Sequence, residues 1–180
     1  MISFKDFESS FKNVISPFEK VEIQFGKIIN EQLFDNSVDH IEKIIGLIKH
    51  KQIPHEYTVS NIYHEPGYYY LVHSNGESHT FKKSFYSHKF DLHSKPDLRI
   101  TVNQDTHIDY PFDKNKKYNQ IIQTQNISFI ISEHIKLNLT YSCFDKENQK
   151  YNLKLETTRL KEEDLTQIYD LIEYIFPQKD

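Results

Sequence analysis

The sequence predicts an α+β fold: an antiparallel sheet of about eight strands with amphipathic helices packed on it. Three observations predict it. Lys20-Val-Glu-Ile-Gln-Phe-Gly-Lys-Ile28 alternates strictly, with Val21, Ile23 and Phe25 on one side and Glu22, Gln24 and Gly26 on the other. This period of two marks a strand with one dry and one wet face. Tyr151-Asn-Leu-Lys-Leu-Glu156 is built the same way, with Tyr151, Leu153 and Leu155 opposing Asn152, Lys154 and Glu156. Between Glu56 and Thr157 further period-two runs follow one another at hairpin distances. Parallel neighbours would need long crossovers, so these runs pair antiparallel.

In chain order, Phe4, Phe7, Phe11, Val14 and Ile15 fall at helical spacing, Ser3 is the N-cap, and Pro17 stops the helix. The strand from Lys20 to Ile28 follows. Phe34-Asp-Asn-Ser37 reads as a loop, with Ser37 capping a helix whose stripe is Val38, Ile41, Ile44, Ile45 and Ile48. The next strands are Glu56 to Tyr63, Tyr68 to His73, Ser78 to Phe85, Asp97 to Asn103, Gln123 to Ile131, Ile135 to Phe144 and Lys150 to Thr157. Glu65-Pro-Gly67, Ser74-Asn-Gly-Glu77 and Lys146-Glu-Asn-Gln149 carry turn chemistry, and Asn75-Gly76 is the strongest hairpin signal. Leu160, Leu165, Ile168, Leu171, Ile172 and Ile175 form a last helical stripe. Glu162, Glu163 and Asp164 sit in its first turn, where the helix dipole favours acids.

Eight antiparallel strands can close into a barrel, which removes exposed edges. The alternation allows a dry interior, or the inverse: a polar lumen with a dry outer face under helices. Two features favour the inverse. The polar faces carry long charged groups, namely Lys82, Arg99, Lys136 and Lys154, and three amphipathic helices need a dry surface to pack on. Charges facing bulk water remain the alternative at this level.

Composition bounds the rest. The 180 residues are read as one domain, 1–180, long enough to bury about 70% of the unfolded surface. The apolar fraction is only 37%, but 13 Phe and 12 Tyr supply bulk for a core. Cys143 is the single cysteine, which excludes an intrachain disulfide and a cysteine-rich zinc site and points to a reducing compartment. No long apolar run implies a membrane span, and the first residues lack a signal peptide's apolar core. The expected location is cytoplasmic or virion, not secreted. The net charge of −4 leaves nucleic-acid binding to local features. His88, Asp91 and His93 form His-x-x-Asp-x-His, read as a solvated loop rather than a metal site for want of a fourth ligand. Tyr68-Tyr-Tyr70 has the rings to stack bases, although a half-exposed barrel strand explains the run equally.

Taken in order, these segments resemble a known family. Val21-Glu-Ile-Gln-Phe-Gly-Lys-Ile28, Phe34-Asp-Asn-Ser-Val38, Asp97-Leu-Arg-Ile-Thr-Val-Asn103, Asn126-Ile-Ser-Phe129, Lys136-Leu-Asn-Leu-Thr140 and Tyr151-Asn-Leu-Lys-Leu-Glu156 are similar to successive strands of the triphosphate tunnel RNA 5′-triphosphatases. These are metal-dependent enzymes of mRNA capping in fungi and large DNA viruses. The resemblance spans nearly the whole chain. It implies an eight-stranded antiparallel β-barrel, a tunnel with a polar lumen and flanking helices. It implies Mg²⁺ or Mn²⁺ on Glu22, Gln24 and Glu156, since hard oxygens suit these ions. It also implies catalytic Glu22, Glu156 and Arg99, and a triphosphate gripped by Lys82, Arg99, Lys136 and Lys154.

The sequence departs from the family where the metal is held. The first-strand pair is Glu22-x-Gln24 where Glu-x-Glu is expected. The last strand offers Asn152, Lys154 and Glu156, which places a cation where an anion is needed. Lys154 and Glu156 can instead pair across the lumen, replacing the metal by a salt bridge. Two functions follow. One is a polynucleotide 5′-triphosphatase that removes the γ-phosphate of 5′-triphosphate RNA. The other is a non-catalytic tunnel-fold subunit or scaffold, needing no cofactor, with capping or transcription subunits as partners and no membrane partner.

Overall fold

The dry faces of the strands Lys20–Ile29, Asp97–Asn103, Ile135–Cys143 and Gln149–Thr158 point outward against the helices, and their polar faces line the inner surface of the sheet. The computed structural model describes residues 3–12, 20–34, 38–82, 88–93, 96–103, 106–144 and 149–177. Along these the chain forms α1 (Phe4–Phe11), β1 (Lys20–Ile29), β2 (Gln32–Phe34), α2 (Val38–His50), β3 (His55–Glu65), β4 (Tyr68–His73) and β5 (Ser78–Lys82). It continues through β6 (His88–Leu92), β7 (Asp97–Asn103), β8 (Thr106–Ile108), β9 (Gln120–Ile130), β10 (Ile135–Cys143), β11 (Gln149–Thr158) and α3 (Glu162–Ile175). The pairings are antiparallel throughout, in the order β6-β7-β1-β11-β10-β9-β3-β4-β5-β8, with β2 on β1.

The expected closed barrel of eight strands is corrected on both points. Among the described residues there are eleven strands, and their path ends at β6 and β8 without closing. The extra strands are short. β2 and β8 have three residues each and β6 has five, and brief edge strands present few unpaired groups to other chains. β2 exists because Asn30 and Glu31 both take positive φ, 49° and 63°, between the paired residues Ile29 and Gln32. That is a type I′ turn, whose twist matches the strands it joins. The His88–Leu92 segment, expected as a loop, is a strand because it pairs along β7 from His88↔Val102 to Leu92↔Leu98.

Alternation sends Val21, Ile23 and Phe25 of β1, Leu98, Ile100 and Val102 of β7, and Leu153 and Leu155 of β11 to the outer face. Leu137, Leu139 and Phe129 join them from β10 and β9. Phe7 and Phe11 of α1, Ile41, Ile44 and Ile48 of α2, and Leu165, Ile168, Leu171, Ile172 and Ile175 of α3 cover this face in one apolar cluster. Ser3 caps α1 as expected, its Oγ accepting from the Asp6 amide at 3.2 Å. The acids open α3, where Asp164 accepts from the Lys161 amide at 2.9 Å. The dry outer face under helices is therefore the arrangement this chain adopts.

Farther along the sheet, the segment 110–118 does the covering. Phe112 packs on Tyr63 at 4.8 Å and on Tyr70 at 5.7 Å between ring centroids, and Tyr70 is fully buried. The turns fall where the sequence places them. Pro66-Gly67 joins β3 to β4 with Gly67 at φ 80°, and Gly76, at φ 90°, donates to the His73 carbonyl in the β4–β5 hairpin. The helix stop at Pro17, the stripe residues Val14 and Ile15, the cap Ser37, the strand end at Phe85 and the turn at 146–148 lie outside the described residues.

Candidate functional site

With the apolar side chains on the outside, the even-numbered residues of β1, β3, β9, β10 and β11 turn to the inner face. In register, Glu22 stands opposite Glu156 on β11 and Thr101 on β7, and Gln24 opposite Lys154 and Arg99. Lys136 faces Glu156, and Asn138 faces Lys154 on one side and Ser128 on the other. The inner face encloses a cleft of about 500 Å³ running from Lys20 on β1 to Phe81 on β5.

At one end four charged groups interlock. The Lys20 ammonium lies 2.9 Å from Glu22 and 3.1 Å from Glu156. The Lys154 ammonium lies 3.3 Å from Glu22 and also contacts Glu156. Burial alone would push the Glu22 carboxyl up, but the Lys154 and Lys20 ammonium groups outweigh it and hold the pKa down at about 2. Burial likewise works against the charge on Lys20, and the carboxylates of Glu156 and Glu22 reverse that and raise its pKa.

A second ion pair stands nearby. Arg99 grips Asp91 with two hydrogen bonds of 2.8 Å and donates a third, of 2.7 Å, to the Glu31 carbonyl in the β1–β2 turn. Such paired, planar contacts are among the strongest charge-assisted hydrogen bonds. The Arg99 hydrogen bonds hold the Asp91 carboxyl below its ordinary pKa.

No family model matches the sequence, and no curated protein sequence is similar to it. Solved structures are similar in fold. The S. pombe Pct1 RNA triphosphatase superposes with a TM-score of 0.74 at 10% identity, covering 98% of this chain and 91% of that one. The same enzyme in complex with the Spt5 CTD gives 0.72 at 10% identity, with the same coverage of 98% and 91%. The RNA triphosphatase domain of a trifunctional mimivirus mRNA capping enzyme gives 0.59 at 11% identity, covering 97% of this chain and 99% of that one. The chain has the triphosphate tunnel fold.

Within the tunnel, Glu22, Gln24, Lys154 and Glu156 come together on neighbouring strands, with Lys136 beside Glu156. Arg99 shares their face, but its guanidinium is committed to Asp91 and the Glu31 carbonyl. Lys82 is a correction. Phe81 lines the cleft, so its neighbour Lys82 lies on the opposite face with Thr80, whose hydroxyl donates to the Tyr110 carbonyl at 2.6 Å. The β4–β5 register, Tyr69 opposite Phe81, fixes that assignment, and one position in β5 reverses the face of every side chain.

Sequence reasoning missed Lys20, which shares the parity of Glu22 and was legible on that ground. It also missed Asp91 as the partner of Arg99, for which the sequence carries no local signal.

The residues do not fit a divalent cation. Glu22 and Glu156 already hold the ammonium groups of Lys20 and Lys154, and Gln24 stands across from that same Lys154 and from Arg99. With two carboxylates matched by two ammonium groups the cluster is neutral, so a dication placed there gains no net attraction. Among the described residues, no group of three or more His, Cys, Asp or Glu is placed to hold a metal ion. The ammonium of Lys154 sits between the two carboxylates that the family resemblance assigned to the metal.

Proposed function

We propose that the tunnel holds the 5′-triphosphate end of RNA through its lysines, without hydrolysing it, and that the chain is a non-catalytic relative of the capping triphosphatases. The observation that carries this reading is the Lys154 ammonium bridging Glu22 and Glu156. It supplies positive charge at the position where the resemblance puts a metal. It also occupies both carboxylates, so neither is left to orient a water for in-line attack. Lys20, Lys136 and Lys154 line the cleft with Glu156, Glu22 is a second partner of Lys20 and Lys154, and Glu56 lies 3.7 Å from Lys136. That lining suits a polyanion. The cleft also stays open despite the ion pairs, with room for a ligand.

The Pct1 enzyme has been solved in complex with the Spt5 CTD. That supports a role for this chain beside transcription or capping subunits. A metal-dependent triphosphatase is the second reading, and the direct opposition of Glu22 and Glu156 across β1 and β11 favours it.

Phosphate release from triphosphate-ended RNA and from ATP, with Mg²⁺ or Mn²⁺, separates the two. The non-catalytic reading expects no release above a Glu22→Ala control. Release that needs the metal and vanishes in the control establishes the hydrolase.

A further inference from the structure

The cleft changes character across its width. On β1, β11 and β10 its walls carry Lys20, Lys154 and Lys136. In the middle stand short amides and hydroxyls. One of them, Asn138, is 5% exposed, and its Oδ1 is buried without a hydrogen-bond partner in the structure. At the far side, on β4 and β5, the wall is aromatic. Tyr69 and Phe81 stack at 5.0 Å with their rings 17° from parallel, and both line the cleft. Of the three consecutive tyrosines, Tyr69 alone takes the cleft side, because Tyr70 and Tyr68 alternate to the outer face with Tyr110.

Cations, short polar side chains and a ring surface thus follow one another along the sheet. Lys154 and Tyr69 lie four strands apart, an arc of about 19 Å at ~4.8 Å per strand. The chord is shorter, because the sheet curves around the cleft. A molecule that is anionic at one end, carries hydroxyl donors in the middle and has a flat π-face at the other matches this order. A nucleoside with a 5′-polyphosphate has that chemistry.

We propose that Tyr69 and Phe81 form the stacking surface for the base of a nucleoside whose 5′-polyphosphate lies on Lys20, Lys136 and Lys154. This rests on the polyphosphate reading above and adds the recognition of the base. Base–aromatic stacking tolerates any base, so the surface does not select sequence.

The test is calorimetric titration of the full chain with inorganic tripolyphosphate, ATP and a short triphosphate-ended RNA. Tyr69→Leu and Phe81→Leu keep apolar bulk and remove the ring, and Tyr69→Phe keeps the ring. Thermal unfolding confirms that each variant is folded. The expected result is a loss of about 5- to 150-fold in affinity for ATP or the RNA in the two leucine variants. Tripolyphosphate affinity is expected to stay unchanged in them, and Tyr69→Phe to match the wild type. Loss confined to the RNA identifies the RNA end as the ligand, and loss for both identifies the nucleotide itself. Equal losses for all three ligands, or none for the nucleoside-bearing ones, overturn the stacking surface while leaving the polyphosphate reading in place. A wild-type chain that does not bind tripolyphosphate overturns both.

Discussion

Lys154→Ala is expected to lower the unfolding temperature by about 4–12 °C. The Lys154 ammonium contacts both Glu22 and Glu156, whose side chains are 12% and 19% exposed. Truncation leaves two carboxylates directly opposed across β1 and β11 with Lys20 alone to neutralise them. Removing one partner of a buried ion pair costs about 3–5 kcal/mol. This cluster keeps some contact with water, so about 2–3 kcal/mol is the better figure. A chain of 180 residues shifts by roughly 2–4 °C per kcal/mol, which gives the stated range. Lys20 still touches both carboxylates in Lys154→Ala, so only the double variant Lys20→Ala/Lys154→Ala clears them of ammonium groups. Mn²⁺ is expected to stabilise the double variant and to leave the wild type unchanged, as read by thermal unfolding with and without the metal. A wild-type chain stabilised by Mn²⁺ to the same extent contradicts the account of the cluster.

Stability is expected to fall on the acid side of about pH 4.5 by roughly 3 kcal/mol from Glu22 alone. Its carboxyl titrates near 4.5 when unfolded and at about 2 when folded. A depressed folded pKa contributes stability that is complete above the unfolded value and is lost as pH falls from 4.5 toward 2. Every tenfold difference in proton affinity between the two states is worth about 1.4 kcal/mol, hence the magnitude. Lys20 acts at the other limit. Its folded pKa is raised above 10.5, so its contribution is complete below that value and is lost as pH rises through the folded pKa. Urea unfolding between pH 2 and 8 checks the acid limb. The Glu22→Gln variant is expected to show a shallower decline there, because the titrating group is gone. An equally steep decline in that variant places the acid sensitivity elsewhere.

Much of this fold was legible because it depends on parity. The alternation of Val21, Ile23 and Phe25 against Glu22 and Gln24, and its counterpart in Leu153 and Leu155, decides which side chains meet the helices. Once that face is buried, Glu22 and Glu156 must share the other, and the observed register sets them directly opposite. What escaped depends on contacts distant in sequence. Asn30-Glu31 makes a type I′ turn without the glycine that usually announces one, so the sequence carries no hairpin signal for β2. The segment of His88 and Asp91 has no alternation of its own and becomes a strand by pairing with β7.

The site followed the same division. Lys154 and Glu156 read as able to pair across the lumen or with Arg99; their ammonium and carboxylate meet along β11 itself, with Lys20 and Glu22 completing the cluster, and Arg99 pairs with Asp91 instead. Lys82 was misplaced because Lys82, Thr80 and Ser84 look like a polar lumen face, while the neighbouring Phe81 looks like core. In β5 the rule inverts: Phe81 faces the cleft and Thr80 is buried on the outside beside Tyr110. The aromatic cover of segment 110–118 allows this, since a ring-lined outer pocket over β4 and β5 replaces the helices.

Calorimetric titration of inorganic tripolyphosphate in the presence of EDTA decides whether lysines act in this cleft where the resemblance puts a metal. Saturable binding without any divalent cation is expected, weakened by salt and by Lys136→Ala, because the attraction is between partly exposed ammonium groups and a polyanion. No binding in EDTA, with binding restored by Mn²⁺, contradicts that reading and returns Glu22 and Glu156 to the role of metal ligands.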